Sequence, residues 1–380
     1  MSRDARTVLV LSGHDAWLRV LPSIEGTEGD EPRKLPHDSG VEAIELLPDG
    51  TRAMTGGADG RAIIWDVESG SRLVTVSLGS APLTHVEFVG RGRLLLANAA
   101  GRILVASEET GAILASFDHG SRARDVAMSA DLTRLASAGE DGRVLAWDLG
   151  NPSAPIFEGR HRSSAVRVDF SPDGRLLASA GQDGRAIVWD LATGQAAFAS
   201  LGHDGWVTSV AFDPSGQWIL TSGYDGAASL WDARTGERID AGELHRQGVA
   251  KALFDARAQR IISFGYDACV HVRDRATGKP VLPPLRHGVA VFDGVLSEDG
   301  RYLATIAQNG IARIWDLAVG GILPLVALDN DSATVAATSH DGRYIAIGSV
   351  LGRVCVFDRE QDAFVATTTS HDGTVRAIAF

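Results

Sequence analysis

Apolar and polar positions along this chain fall into short runs that stop at turn residues and then resume, and the same arrangement returns many times. In the clearest unit, from His161 to Asp190, the stretches Ala165 to Phe170, Leu176 to Ser179 and Ala186 to Trp189 are apolar or β-branched. They are separated by Ser171-Pro172-Asp173-Gly174 and by Gln182-Asp183-Gly184. Short apolar runs bounded by Pro, Asp and Gly predict three strands joined by tight turns. A fourth strand is expected over Ala196 to Ser200, after Thr193-Gly194 and before His203 opens the next unit. Strands that are apolar on both faces need cover on both, so each four-stranded sheet buries itself only against neighbouring copies.

The period is fixed by five Trp-Asp pairs, at Trp65, Trp147, Trp189, Trp231 and Trp315, spaced by 82, 42, 42 and 84 residues. Stepping by the same interval lands on Ala106-Ser107, Arg273-Asp274 and Phe357-Asp358, whose neighbours scan in register although the Trp is gone. A period near 42 closed by Trp-Asp is the signature of propeller blades. On these residues the chain resembles the WD-repeat β-propeller family, in its bacterial type, over essentially all 380 residues. The implied fold is all-β: one closed propeller formed by residues 1–380 as a single domain.

The resemblance also implies a buried hydrogen-bonded tetrad in each blade: a His before the first strand, a Ser or Thr on the second, an Asp in the following turn and the Trp on the third. The matching positions are His37, Thr55, Asp59 and Trp65; His119, Ser137, Asp141 and Trp147; His161, Ser179, Asp183 and Trp189; and His203, Thr221, Asp225 and Trp231. Two further units keep part of the set. One has His245, Ser263 and Asp267 with Arg273 in the Trp position, and the next has His287, Thr305 and Trp315 with Asn309 for Asp. The units ending at Ala106 and Phe357 have lost nearly all of it and must be held by apolar packing.

The two ends carry the sharpest structural expectation. The chain stops on a strand-like Thr374 to Phe380 and begins with Ser2 to Arg6 in the register of Ser171 to Arg175, so the end reads into the beginning. Thr7 to Leu11 then supplies a second strand, Trp17 to Leu21 a third with Asp15 in the turn, and Arg33 to Leu35 a fourth. A blade split between the termini, with residues 374–380 pairing 7–11, leaves no free edge. First strands end at nine places, Leu47, Phe88, Met128, Phe170, Phe212, Phe254, Leu296, Thr338 and Phe380, which gives nine blades. Rings of seven or eight blades with leftover repeats, and a piece of a longer array, are the competing readings; the continuous junction favours nine.

Composition narrows the function rather than the fold. With 44% hydrophobic and 22% charged residues the chain has ample material for a core. No apolar run approaches the roughly 20 residues of a membrane span, and Thr7 to Leu11 is too short for a secretory signal, so a cytoplasmic monomer without a membrane partner is expected. Cys269 and Cys355 read as two buried thiols. A net charge of −12 argues against a nucleic-acid partner, whose phosphates demand clustered Lys and Arg.

Recurring His, Asp and Ser residues could be mistaken for hydrolytic triads or metal ligands. A catalytic or metal constellation occurs once, whereas these recur with the fold, so neither catalytic residues, metal nor cofactor is expected. The informative positions lie at the loop tips. Tyr224 and Tyr266 precede the turn Asp in neighbouring units and Trp206 follows His203 by three residues, an aromatic set suited to a protein or peptide hot spot. Arg122, Arg162 and Arg246 stand near the corresponding His residues and would select an acidic partner. The segment Pro22 to Pro36 reads as an outer loop. The function expected is a non-enzymatic scaffold for protein or peptide partners. The alternative is the sensor or regulatory propeller of a larger signalling protein, since bacterial WD-repeat domains resembling this one are often fused to NTPases and kinases.

Overall fold

The turns set the strands. Asp173 shows how: its side chain accepts from the Arg175 N–H (3.0 Å) and from the Ser171 hydroxyl (2.6 Å), while Gly174 takes a φ of 67° that an L side chain rarely adopts. The chain therefore reverses at each such turn, and the apolar runs on either side pair as antiparallel strands. In the computed structural model, residues 7–12, 14–20, 33–47, 50–240, 245–255, 257–297, 299–308, 312–318, 321–322, 332–339, 341–361, 363–368 and 373–380 are described. Every regular element among them is a strand.

The strands form nine meander sheets among the described residues, the blades of a nine-bladed β-propeller, as counted from the sequence. Numbered from the first complete one, blade 1 comprises Val41–Leu46, Arg52–Gly57, Arg61–Asp66 and Arg72–Ser77, and blade 2 runs from Leu83–Gly90 to Ile113–Asp118. Blades 3 to 8 begin at Ala123, Ala165, Val207, Val249, Val291 and Ala333. Blade 9 is built from both ends of the sequence: Val375–Ala379 pairs Thr7–Ser12, which pairs Asp15–Val20, which pairs Arg33–Leu35. The register is Leu9 to Ala379, Val10 to Ile378 and Leu11 to Ala377, with a shift before the Ser12–Val375 pair.

Two expectations are corrected. Asp15 does not lie in the turn; it opens the strand Asp15–Val20, opposite Ser12, and its carboxylate accepts from Lys34 Nζ at 2.6 Å. The outer strand expected over Ala196 to Ser200 is instead two fragments, Gln195–Ala196 and Leu201–Gly202, both pairing Arg185–Asp190. Between them the chain leaves the ladder and Phe198 packs over Gly236 of the next blade, where a Cβ would come within 2.3 Å of the ring. Residues 2–6, 21–32 and Asn309, which carried other expectations, lie outside the described residues.

The chain divides into two compact units. In the one formed by Met1–Ala99, Ile103–Leu114 and Gly294–Phe380, Leu9, Leu11, Ala16 and Leu18 of blade 9 pack against Val41, Ile44, Ala53 and Trp65 of blade 1. The opposite face of blade 9 places Val8, Val10, Val375 and Ile378 against Tyr344, Ala346 and Val356 of blade 8. The two units of sequence that lost the tetrad are held as an apolar lattice must be: Leu96 and Ala106 lie in the core between blades 1 and 2, and Ile347 and Phe357 in that between blades 7 and 8. In the other unit, Ala100–Arg102 and Ala115–Asp293, small residues of one sheet (Ala178, Ala180, Ala186) meet large ones of the next (Val207, Val210, Phe212, Trp231). Alternating small against large lets the sheets approach closely.

One buried acid carries a pH signature. Burial, and then the neighbouring Glu87, push the Glu45 carboxyl from 4.5 up to about 7. The folded chain thus holds a proton that the unfolded chain releases, and stability falls as pH rises from 4.5 to 7. Glu45→Gln removes that cost: at pH 8 the variant should be more stable by about 1–3 kcal/mol, with no difference near pH 4.5. Urea unfolding at the two pH values measures it; equal differences at both would refute the assignment.

Candidate functional site

Each His, turn Asp and hydroxyl expected to associate can be followed individually. His161 Nδ1 lies 3.0 Å from Asp183 Oδ1, its Nε2 lies 2.8 Å from Ser179 Oγ, and Trp189 Nε1 donates to the same hydroxyl at 2.9 Å. In blade 5, His203 lies 2.9 Å from Asp225 and 2.7 Å from Thr221, whose hydroxyl accepts from Trp231 Nε1 at 2.8 Å. His119 is 2.6 Å from Ser137 and 3.2 Å from Asp141, with its two ring nitrogens exchanged relative to the others; Trp147 packs on Phe117 with centroids 5.4 Å apart.

Blade 1 departs from this pattern. Trp65 Nε1 donates to Thr55 at 2.8 Å, but among the described residues neither nitrogen of His37 has a hydrogen-bond partner, and the Asp59 carboxylate accepts from the Arg61 N–H at 3.1 Å without bonding the ring. Burial lowers the pKa of His119, His161 and His245 against the pull of their Asp partners, so these rings are neutral hydrogen-bonding groups at neutral pH. Asp183 and Asp267 move below the usual carboxylate range; burial opposes the shift, and the N–H groups of Arg162 and Arg246 and the His partners outweigh it. A set that repeats in blades 3, 4 and 5, each tied into its own sheet, supports those sheets.

The exposed aromatic residues behave differently, because they converge. Trp206 and Tyr224 meet edge to face with centroids 5.6 Å apart, and Tyr224 and Tyr266 stack at 5.3 Å with hydroxyls 3.0 Å apart. The row continues to Phe292, 5.5 Å from Tyr266 and edge-on to it. The backbone sets the spacing: Tyr224 N–H donates to the Trp206 carbonyl and Tyr266 N–H to that of Gly248, each at 2.9 Å. Gly248 forms the floor, since a Cβ there would lie 3.1 Å from the Tyr224 ring and 3.2 Å from the Tyr266 ring. Desolvation, and then the bond to Tyr224, push the Tyr266 phenol up to about 12. Trp206, Tyr224 and Phe292 nonetheless remain 51%, 48% and 41% exposed. Large rings held this rigidly and left in water are uncommon on a protein surface unless something covers them.

Phe292 also lines a cavity of about 540 Å³ along the first strands of blades 5 and 6, bordered by Ser209, Phe254, Arg167 and the Lys251–Asp293 pair at 2.7 Å. Aromatic row and cavity thus share a wall. Phe292 and Gly248 were not picked out in the sequence. The second position of the first strand is Val166, Thr208 and Ala250 in the preceding blades, and only a comparison along that position would single out the Phe.

Arg122, Arg162 and Arg246 are exposed on three separate blades, and none of their guanidiniums forms an ion pair among the described residues. Arg162 and Arg246 contribute their backbone N–H groups to Asp183 and Asp267. The structure does not bring the three together.

The family model for the WD domain, G-beta repeat, matches residues 29–66, 111–148, 155–190 and 197–232. These are the four stretches that end in the Trp-Asp pairs at 65, 147, 189 and 231. Among solved structures, the computationally designed Ika8 protein is 23% identical with a TM-score of 0.69, over 85% of this chain and 97% of that one. The C-terminal WD40 domain of Sif2 is 17% identical with the same score and coverage. Chaetomium thermophilum Sqt1, solved bound to the N-terminus of the ribosomal protein L10, is 20% identical with a TM-score of 0.67, over 85% of this chain and 98% of that one. At such identities the likeness is one of fold.

Proposed function

Because the chain belongs to the WD-repeat β-propeller family, we propose that it is a non-enzymatic scaffold that docks a protein or peptide on the row Trp206–Tyr224–Tyr266–Phe292. The single observation that carries this reading is the row itself: four contiguous rings, with Tyr224 and Tyr266 spaced by backbone hydrogen bonds and by Gly248, three of them about half open to solvent, and Phe292 also lining a cavity. Rigid aromatic side chains supply contact area at little entropic cost, which is why they dominate interface hot spots. The recurrence of the His, Asp and hydroxyl groups in blades 3, 4 and 5, each paired within its own sheet, favours a supporting role for those sets. A solved propeller of similar fold holding a polypeptide N-terminus agrees with such use of the fold.

Affinity capture with the full chain should recover a defined partner, and Trp206→Ala and Tyr224→Ala should each weaken it by more than about 1 kcal/mol. Folding stability should change by less than about 0.5 kcal/mol, because neither ring belongs to a buried set. Recovery of a partner that both variants bind normally would place docking elsewhere and refute the proposal.

A further inference from the structure

Blade 6 breaks the repeat on one face of one strand. Where blade 4 carries Arg185, Ile187 and Trp189, blade 6 carries Cys269, His271 and Arg273. The register sets His271 directly opposite Ser263, the hydroxyl that also meets His245. The two imidazoles stand edge to face with centroids 4.5 Å apart. One ring nitrogen from each, together with an Asp267 carboxylate oxygen, all lie within 4.8 Å of one another. Among the described residues neither nitrogen of His271 has a hydrogen-bond partner, although the ring is half-buried. An imidazole so placed has a free lone pair facing two other donors.

We propose that His245, Asp267 and His271 form a binding site for one divalent transition-metal ion of the imidazole-preferring class, Zn²⁺ being the probe. The recurrence that removes the other His–Asp pairs from consideration does not apply, because the third ligand occurs once. Blades 3, 4 and 5 hold the same His–Asp pair with Leu145, Ile187 and Ser229 in the His271 position, and so serve as internal controls. Two neutral imidazoles and one carboxylate are a donor set for Zn²⁺ or Cu²⁺, with water completing the coordination from the exposed side; Ca²⁺ and Mg²⁺ require more oxygen ligands. His245 Nδ1 and Asp267 Oδ1, now 2.8 Å apart, would separate slightly as the ion takes the Nδ1 lone pair; the ring stays neutral by carrying its proton on Nε2, which then donates to Ser263 Oγ at 2.9 Å. Arg273 and Arg286 are near enough to oppose positive charge at His271, which sets the affinity below that of a closed structural zinc site.

The test is calorimetric titration of the untagged, chelator-treated full chain with Zn²⁺. One equivalent should bind, and His271→Ile should weaken binding at least tenfold. The Ile variant should fold, since blades 1 and 4 carry Ile63 and Ile187 at this position; His271→Gln, which keeps a polar side chain, gives the same comparison independently. Zn²⁺ should also raise the melting temperature of the wild type and leave that of the variants unchanged. Absence of saturable binding in the wild type, or equal stoichiometry and affinity in both variants, overturns the site.

Discussion

Removal of residues 374–380 is expected to lower the melting temperature far more than trimming an ordinary terminus, and to take most of the chain's stability with it. The strand Val375–Ala379 is the first strand of blade 9, and its loss exposes the edge of Thr7–Ser12. Val375 and Ile378 are 0% and 8% exposed, in the core shared with blade 8. Burial of two such side chains contributes about 3–6 kcal/mol, against a net stability of about 5–15 kcal/mol for a whole domain. Polar ties go as well: the Thr334 hydroxyl donates to the Val375 carbonyl, and Arg376 pairs with Glu42 at 2.9 Å. The strand is thus bound to blades 8 and 1 besides its own. Thermal and urea unfolding of the truncated chain measure the effect; a truncated protein melting with the full-length one would show that the split blade closes nothing.

The second large effect concerns a buried ring. Trp231→Ala should cost roughly 3–5 kcal/mol of folding stability, the usual penalty for emptying a large aromatic site in a core. Trp231 is 6% exposed and packs among Val210, Phe212 and Ile219. Its Nε1 satisfies Thr221, and the Arg238 guanidinium lies 5.4 Å from its ring centroid. The mutation leaves a cavity, takes one of its two bonds from the Thr221 hydroxyl, which keeps His203, and removes the ring beneath the Arg238 guanidinium, which keeps Ser229 Oγ. Trp206→Ala, one Trp of the same blade and half exposed, should leave the unfolding midpoint nearly unchanged. Equal losses from the two would mean that the exposed row is a structural element of blade 5 rather than a surface held out for a partner.

The architecture was legible because its cause is periodic. A sheet apolar on both faces writes its period and its turns into every copy, so nine blades and the terminal pairing of blade 9 could be counted from residue types. What one copy does differently was less legible. His37 occupies the expected place in sequence, yet among the described residues neither of its ring nitrogens has a hydrogen-bond partner, which residue type alone does not foretell. The outer strand of blade 4 is broken where Phe198 lies over Gly236, a contact with the next blade that spacing within the unit does not encode. Trp206, Tyr224 and Tyr266 were visible as aromatic loop residues. Their extension to Phe292 depends on which first-strand residue borders the same turn, and that is a property of neighbouring blades.

Hydrogen exchange of the chain with and without its captured partner tests the docking surface most directly. Amides at 204–206, 224, 247–248, 266 and 292 should exchange more slowly in the complex, with the outer strands unaffected. Protection confined to other segments, with exchange along the aromatic row unchanged, would contradict the account.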